Sequence, residues 1–150
     1  MVAFEADPEV AARLREHVER NQFSRITAEE KAVWSERKTV FFARTDPGAS
    51  PDRGLGHVVS GGGNEAIRVE AVSLDDYAKA APAPDFVKCD VEGAEVEVFH
   101  GAIQLLRDKQ PILLIEMHSE ENRRILLEEL SRIGYACKTC GENHVLALPQ

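Results

Sequence analysis

Apolar and polar positions in the first part of the chain predict a strand followed by a helix. Residues 1–6 form a short apolar run that is typical of a buried strand. Asp7 then offers an N-cap and Pro8 favours the first helical turn, so a helix is predicted to begin here and to continue to Asn21. Its apolar positions recur at helical spacing: Val10, Leu14 and Val18.

The middle of the chain predicts strands interrupted by a long loop. Residues 26–33 and 38–44 each predict a strand, the second because it is rich in β-branched and aromatic side chains. Residues 45–64 contain several glycines and prolines and few apolar side chains, which predicts a long loop. Residues 67–72 alternate like a half-buried strand, and residues 73–77 predict the start of a short helix.

The last part of the chain predicts a strand, a helix and a second strand in succession. Residues 86–91 and 111–117 predict the strands, and apolar side chains at helical spacing lie between them: Val96, Phe99, Ile103 and Leu106. This order predicts a right-handed crossover between parallel strands. A further helix is predicted from Ser119 to a stop at Gly134. Two short runs then predict a closing hairpin: residues 135–138 and 144–148.

Length and composition restrict the class of protein. The chain has 150 residues, of which 43% are hydrophobic and 29% are charged. These values are typical of one globular domain over residues 1–150, and they exclude collagen-like, disordered and disulfide-dense classes. The order of the elements predicts an α/β fold with a mostly parallel sheet and a C-terminal hairpin.

Charge and hydropathy argue against two classes of partner. The formal net charge of -8 repels a phosphate backbone, so nucleic acid is not expected. The longest wholly apolar stretch, residues 112–115, is far shorter than the about 20 residues that span a bilayer, so no membrane partner is expected. The first residues do not have the pattern of an export signal, so the three cysteines are expected to be reduced thiols of a cytoplasmic protein.

Acidic side chains close three of the predicted strands. Glu5 closes the first strand, Asp90 and Glu92 close another, and Glu116 and His118 close a third. Ligands bind at the carboxyl ends of parallel strands, and side chains two residues apart share a face, so the last four groups are expected to converge on one crevice. A carboxylate such as Glu5 can bind both hydroxyls of a ribose, or it can simply stabilise the N-terminus of the following helix.

A longer motif extends over the second half of the chain. It runs from Lys88 as Lys-Cys-Asp-Val-Glu-Gly-Ala-Glu-Val-Glu-Val-Phe-His-Gly-Ala, and after a helix it continues as Pro-Ile-Leu-Leu-Ile-Glu-Met-His, ending at His118. This order resembles the FkbM family of S-adenosylmethionine-dependent methyltransferases. The resemblance extends to residues 3–8, 31–33 and 72–77, and so covers nearly the whole chain. It implies a Rossmann-like class I methyltransferase fold.

One part of the family pattern is not matched. Members of the family begin with a strand and a glycine-rich turn of the type Asp-x-Gly-Ala-Asn-x-Gly, which binds the methionine part of the cofactor, and this chain begins after that turn. The glycines at 61–63 neither follow a strand nor open a helix, so they are not expected to replace it. In the family fold the unmatched strand is central and lies between the strands that end in Glu5 and Asp90. The edges of those two strands are therefore expected to pair with another copy of the chain, to close the gap by pairing directly with each other, or to make the chain poorly soluble.

The resemblance also implies roles for residues that bind the cofactor S-adenosylmethionine. Glu5 would bind its ribose and Ala6 would line the pocket beside it. Lys31 and Ala32 would lie near the adenine. Asp90 would face the methionine end of the cofactor or the acceptor. A carboxylate against the sulfonium would favour the ground state, so Asp90 is better suited to the cofactor ammonium or to an acceptor hydroxyl.

For catalysis, the resemblance implies methyl transfer to a hydroxyl oxygen of a small molecule or saccharide. Such an acceptor must lose a proton, and a positioned base contributes about 10²–10⁴-fold. His118 is the first candidate because its ordinary pKa is about 6.5, with Glu92, Glu116 and Asp90 as further candidates. The structural alternative for His118 is an ordinary histidine at a strand end. The same four residues could instead form a divalent metal site, although none is expected.

A second function class remains open. The chain could be a non-catalytic fragment that pairs with another copy through exposed strand edges. A dinucleotide oxidoreductase is disfavoured because the sequence has no phosphate-binding glycine motif. The choice of methyl acceptor is expected to depend on residues 45–64.

Overall fold

The computed structural model describes residues 1–44, 56–59 and 66–150. The first elements in chain order are β1 (Val2–Phe4), α1 (Pro8–Arg20), β2 (Thr27–Glu29), β3 (Ala32–Val33), β4 (Lys38–Arg44), β5 (Gly56–Val59), β6 (Ile67–Val72) and α2 (Leu74–Tyr77). The remaining elements are β7 (Phe86–Cys89), α3 (Glu95–His100), α4 (Ile103–Lys109), β8 (Ile112–Glu116), α5 (Glu120–Arg132), β9 (Tyr135–Cys140) and β10 (His144–Pro149). The helices and strands make this an α/β fold, as predicted.

The strands form three hydrogen-bonded sheets in the described part of the chain. One contains β1 and β2, a second has the order β3-β6-β4-β5, and a third has the order β7-β8-β10-β9. Parallel pairing joins β1 to β2, β3 to β6 and β7 to β8. Antiparallel pairing joins β4 to β5, β4 to β6, β10 to β8 and β10 to β9.

The prediction of a mostly parallel sheet is therefore wrong, because the sheets are mixed. Only residues 34–37 link β3 to β4, which is too short for the crossover that parallel strands need. The chain reverses at this link, and β4 runs antiparallel to β6. The closing hairpin, which was predicted, adds a second reversal that brings β10 antiparallel to β8.

Two further predictions need correction in their bounds. The strand predicted over residues 26–33 is split into β2 and β3, which belong to different sheets. The loop predicted over residues 45–64 contains the strand β5, which pairs with β4. The rest of that loop, residues 45–55 and 60–64, lies outside the described residues.

The single helix predicted between the last two parallel strands is two helices, α3 and α4. The first ends at Gly101, where a Cβ atom would lie 2.1 Å from the Trp34 backbone oxygen. The Asp75 carboxylate caps the second helix by accepting from Gln104 N at 3.1 Å and from Leu105 N at 2.8 Å. Residues distant in sequence, Trp34 and Asp75, thus stabilise the break between the two helices. Helical spacing depends only on neighbouring residues, so it could not predict this break.

The main core lies between the sheet of β7 to β10 and the helices α3, α4 and α5. One face of β7, β8 and β10 supplies buried side chains, namely Cys89, Leu113, Ile115, Val145 and Ala147. The helices supply the other half: Val98, Phe99, Leu106, Leu126 and Leu130. Cys89 is a buried thiol of this core, and its burial raises its pKa to about 12.

The opposite face of the same strands is open. Phe86 and Ile112 are register partners on β7 and β8, and both side chains are exposed. Within the described residues β1 pairs only with β2, and β7 pairs only with β8. Direct pairing of β1 with β7 is therefore not seen, and each of these strands has one edge that no described strand covers. None of the described helices has the length and apolar character required to cross a membrane.

Candidate active site

The carboxyl ends of β7 and β8 lie side by side because the two strands pair in parallel, with Cys89 opposite Ile115. Asp90 follows the first strand and Glu116 ends the second, so the register brings them together. One ligand atom each from Asp90, Glu116 and His118 lies within 4.8 Å of the others. Parallel pairing alone thus places residues from two separate segments in one cluster.

The imidazole of His118 lies between two glutamates. Its Nδ1 is 2.6 Å from Glu95 Oε1, and its Nε2 is 3.6 Å from Glu92 Oε2. The His118 side chain is 21% exposed, whereas Glu95 is fully buried. Nδ1 is therefore anchored by a buried carboxylate, whereas Nε2 lies beyond hydrogen-bond distance of the nearest glutamate, Glu92, in a side chain that keeps about a fifth of its surface exposed.

Glu95 is a residue of the site that the sequence analysis missed. Its side chain lies on the inner face of α3 with Val98, Phe99 and Ala102, at spacings of three, four and seven residues. Its two oxygens accept hydrogen bonds from Asn122 Nδ2 at 2.5 Å and from Gly93 N at 3.3 Å, besides the contact with His118. A glutamate at an apolar helix position is the signal that could have identified it, because buried carboxylates require specific donors.

The groups around His118 determine whether its pKa lies above or below the ordinary value. Burial alone would lower it, because an imidazolium loses hydration. The hydrogen bond with Glu95 and the charges of Glu92 and Glu116 outweigh burial, so the pKa of His118 is raised above its ordinary value. The carboxylates therefore stabilise the protonated ring.

Two basic side chains, Lys88 and His144, border the cluster and were not predicted as site residues. Lys88 Nζ lies 2.6 Å from Asp90 Oδ2, and this hydrogen bond is the main reason that the pKa of Asp90 is lowered. His144 Nε2 lies 3.4 Å from Glu116 Oε2, because the two residues are register partners on β10 and β8. The donor set of Asp90, Glu116 and His118 suits a divalent cation, which would have to compete with Lys88 for Asp90.

The residues expected to bind the cofactor form a second group after β1 and β2. Glu5 N donates to Glu29 O at 3.0 Å, and Lys31 Nζ lies 3.3 Å from Glu29 Oε2. Ala6 packs against the cluster of buried side chains that includes Ala32. Because the Ala32 side chain is itself buried in that cluster, it would reach a cofactor only through its backbone.

The turn after β1 is held by Asp7 and Arg44. Asp7 caps α1 by accepting from Glu9 N at 2.8 Å, and it receives two hydrogen bonds from the Arg44 guanidinium at 2.6 and 2.7 Å. These bonds lower the pKa of Asp7. Asp7 N in turn donates to Glu5 Oε1 at 2.8 Å, which orients the Glu5 carboxylate. Burial raises the pKa of Glu5 despite this bond.

The two groups are separate within the described residues, where no hydrogen bond or ion pair joins them. One group contains Glu5, Ala6, Lys31 and Ala32, and the other contains Asp90, Glu92, Glu116 and His118. Each group follows the carboxyl ends of a parallel strand pair, β1 with β2 and β7 with β8. Both therefore occupy positions at which α/β folds bind ligands.

Comparisons with known proteins agree with this arrangement. The family model described as Methyltransferase FkbM domain matches residues 1–137. The crystal structure of Methyltransferase FkbM from Methylobacillus flagellatus KT is similar in fold, with a TM-score of 0.69 and 18% sequence identity. The alignment covers 98% of this chain and 36% of that chain, so this chain spans little more than a third of the other's length. A search of curated proteins finds no match. The match over residues 1–137 shows that the chain belongs to the FkbM methyltransferase domain family.

Proposed function

We propose that this methyltransferase domain transfers a methyl group from S-adenosylmethionine to a hydroxyl oxygen of a small molecule or saccharide. The observation that carries the proposal is the environment of His118, whose Nδ1 is held by a buried carboxylate while Nε2 makes no hydrogen bond among the described residues. A base for a hydroxyl acceptor needs such a free ring nitrogen at the edge of a ligand-binding crevice.

In the proposed reaction, the acceptor oxygen attacks the methyl carbon and its proton passes to His118 Nε2. The carbon–sulfur bond breaks, and its electron pair remains on sulfur. The products are a methyl ether, S-adenosylhomocysteine and an imidazolium. The positive charge thus moves from the sulfonium to His118, where the carboxylates of Glu92, Glu95 and Glu116 favour it.

The cofactor-binding half of the proposal rests on Glu5. Its Oε1 accepts from Asp7 N at 2.8 Å, which holds the carboxylate at the end of β1. A carboxylate held in this way can accept from the ribose hydroxyls. We propose that Ala6, Lys31 and the Ala32 backbone lie along the adenosine, and that Asp90 faces the cofactor ammonium or the acceptor.

A second candidate function is self-association of a non-catalytic domain. It is favoured by the free edges of β1 and β7 and by the exposed side chains of Phe86 and Ile112. A cytoplasmic location is also part of the proposal, supported by the free thiols of Cys89, Cys137 and Cys140.

Calorimetric titration with S-adenosylmethionine tests the proposal. We expect the 150-residue chain to bind weakly or not at all, because the family's glycine-rich turn is not matched by its sequence. The same chain extended upstream should bind, and Glu5→Ala should then weaken affinity by about tenfold or more. Glu16→Ala on the exposed face of α1 is the matched control. Equal affinity of both variants would remove Glu5 from the binding site.

Labelled cofactor tests the acceptor class. The extended chain is incubated with methyl-labelled S-adenosylmethionine and a panel of hydroxylated small molecules and saccharides. Label in a methyl ether is the expected result. Label found only on nitrogen, carbon or carboxylate acceptors would contradict the hydroxyl assignment while leaving methyl transfer intact.

A further inference from the structure

Glu95 is an acidic group in the interior, and its effect on the charge of His118 does not by itself require so buried a position. Its exposure is 0%, and it lies in the first turn of α3 among the apolar side chains of the main core. Burial of a carboxylate is costly unless donors compensate for the lost hydration. Here Gly93 N and Asn122 Nδ2 donate to the carboxylate, and His118 Nδ1 lies within hydrogen-bond distance of it, so three different segments surround it with nitrogen atoms.

These contacts define where the hydrogen of His118 lies. Glu95 Oε1 is 2.6 Å from His118 Nδ1 and also accepts from Gly93 N, while Oε2 accepts from Asn122 Nδ2. An ionised carboxylate has no hydrogen to donate, so with Glu95 ionised the 2.6 Å contact requires that Nδ1 carries the hydrogen. In the neutral ring Nε2 is then the nitrogen with the free lone pair.

We infer that Glu95 is a positioning residue that holds His118 in the tautomer with hydrogen on Nδ1, so that Nε2 can accept the proton of the methyl acceptor. The inference rests on the proposed function, because it assigns Nε2 the role of base. The position of the hydrogen on the ring, however, is a property of the protein alone and does not depend on the proposed reaction. A neutral ring with hydrogen on Nε2 would be unable to take a proton from a hydroxyl on the accessible side.

Asn122 completes the arrangement from the first turn of α5. Its Nδ2 donates to Glu95 Oε2 at 2.5 Å and to Gly93 O at 3.1 Å. Its backbone N donates to the helix cap Ser119 Oγ at 3.0 Å, which places the side chain. The carboxylate is therefore fixed by α5 on one side and by the turn before α3 on the other, and it cannot rotate without losing a donor.

The neighbouring carboxylate, Glu92, has a different part and supplies a matched control. It lies 3.6 Å from Nε2, beyond hydrogen-bond distance, and is partly exposed, so it stabilises the ring after protonation and attracts hydrogen to Nε2 less than Glu95 attracts it to Nδ1. Glu92→Gln and Glu95→Gln remove the same charge from opposite sides of one imidazole. Only Glu95→Gln changes the group that faces Nδ1.

The test is nitrogen-15 NMR of histidine-labelled 150-residue chain, with His118→Gln used to assign the resonance. At a pH where the ring is neutral, we expect the wild-type ring to carry its hydrogen on Nδ1. Hydrogen on Nε2 in the wild type would overturn the inference directly. This readout requires no activity, so its failure is distinct from failure of the proposed function.

Variants separate positioning from mere packing. Glu95→Gln leaves one acceptor oxygen where the carboxylate has one facing His118 Nδ1 and Gly93 N and another facing Asn122 Nδ2, so the Nδ1–H fraction should fall. Glu92→Gln should not lower that fraction, because Glu92 faces Nε2. In Glu95→Gln with Asn122→Asp, the introduced carboxylate can accept from the glutamine amide, and the Nδ1–H fraction should recover. An unchanged tautomer in folded Glu95→Gln would contradict the inference. If the single variant unfolds, the wild-type and double-variant spectra still decide.

Kinetics of the extended, active chain provide the second readout. Glu95→Gln should lower kcat by about tenfold or more with little change in the KM for S-adenosylmethionine, and the double variant should recover part of this loss. A raised KM with unchanged kcat would mean that Glu95 serves binding instead. If Glu95→Gln has an unchanged kcat although the wild-type ring carries its hydrogen on Nδ1, the tautomer does not affect catalysis, and Glu95 is not a positioning residue.

Discussion

Lys88 Nζ and Asp90 Oδ2 lie 2.6 Å apart at the end of β7, so the first carboxylate of the site is paired with a cation of its own strand. One residue, Cys89, lies between them, so the two side chains project from the same side of the extended chain. The pairing reduces the negative charge of the crevice on the side where Asp90 meets Glu116 and His118.

The first prediction concerns the ionisation of Asp90. Because the Lys88 hydrogen bond is the main cause of its lowered pKa, Lys88→Met should move the pKa of Asp90 upward towards its ordinary value. Carboxyl carbon NMR titration measures this change. Lys79→Met is the control, since that ammonium pairs with Asp76 instead. An unmoved Asp90 pKa in Lys88→Met would show that the ion pair is not formed in solution.

The second prediction concerns the base. In an active, extended chain His118→Ala should lower turnover by about 10²–10⁴-fold while leaving cofactor affinity nearly unchanged. Asp90→Asn should reduce both turnover and affinity if this carboxylate orients the cofactor ammonium. Near-normal turnover of His118→Ala would move the base to Glu92 or Glu116. Recovery of both variants by an added divalent cation would favour a metal site instead.

If His118 is the base, the direction in which turnover changes with pH can also be predicted. The base must be neutral to accept a proton, and the pKa of His118 is raised. Turnover should therefore rise with pH through a limb that lies above the ordinary value of about 6.5. Glu92→Gln removes one stabilising charge and should shift the limb downward. A limb that persists in His118→Ala would belong to another group.

The third prediction concerns stability of the turn that carries Glu5. Asp7→Ala removes the cap of α1 and the Arg44 ion pair, and should reduce the free energy of unfolding by about 1–2 kcal/mol. Asp7→Asn keeps a capping oxygen and should lose less. Denaturant unfolding measures both values, and equal stability of Asp7→Ala and wild type would contradict the role of the cap.

The same residue predicts a loss of stability in acid. The pKa of Asp7 is lowered in the folded state, so its contribution is fully present above the ordinary carboxyl pKa of about 3.8 and is lost as pH falls through the lowered value. Arg44→Met should reduce this acid dependence. A pH dependence unchanged in Arg44→Met would assign it to other carboxylates.

The fourth prediction concerns self-association through the open sheet edge. Phe86 lies on β7 and is 52% exposed, and a lysine there should weaken contacts between copies. Phe23→Lys is the matched control, because Phe23 is 50% exposed and lies outside the strands. Light scattering should show association that decreases in Phe86→Lys and persists in Phe23→Lys. A wild-type chain that is a stable, soluble monomer would contradict the prediction.

Local sequence determined most of the elements and part of the site. Alternation and helical spacing depend on neighbouring residues, so α1, β6, α5 and the closing hairpin could be predicted from them. The order strand, helix, strand implied parallel pairing of β7 with β8, and this alone was sufficient to bring Asp90 and Glu116 together.

Tertiary structure decided the features that depend on partners distant in sequence. Strand pairing is made by non-local hydrogen bonds, so periodicity could not reveal that β2 and β3 enter different sheets or that β4 runs against β6. The buried position of Glu95 depends on donors from Gly93, His118 and Asn122, which meet only when α3 and α5 pack together. A glutamate on an apolar helix face carries no local energy advantage. Its place is explained only by the donors that the folded chain brings to it.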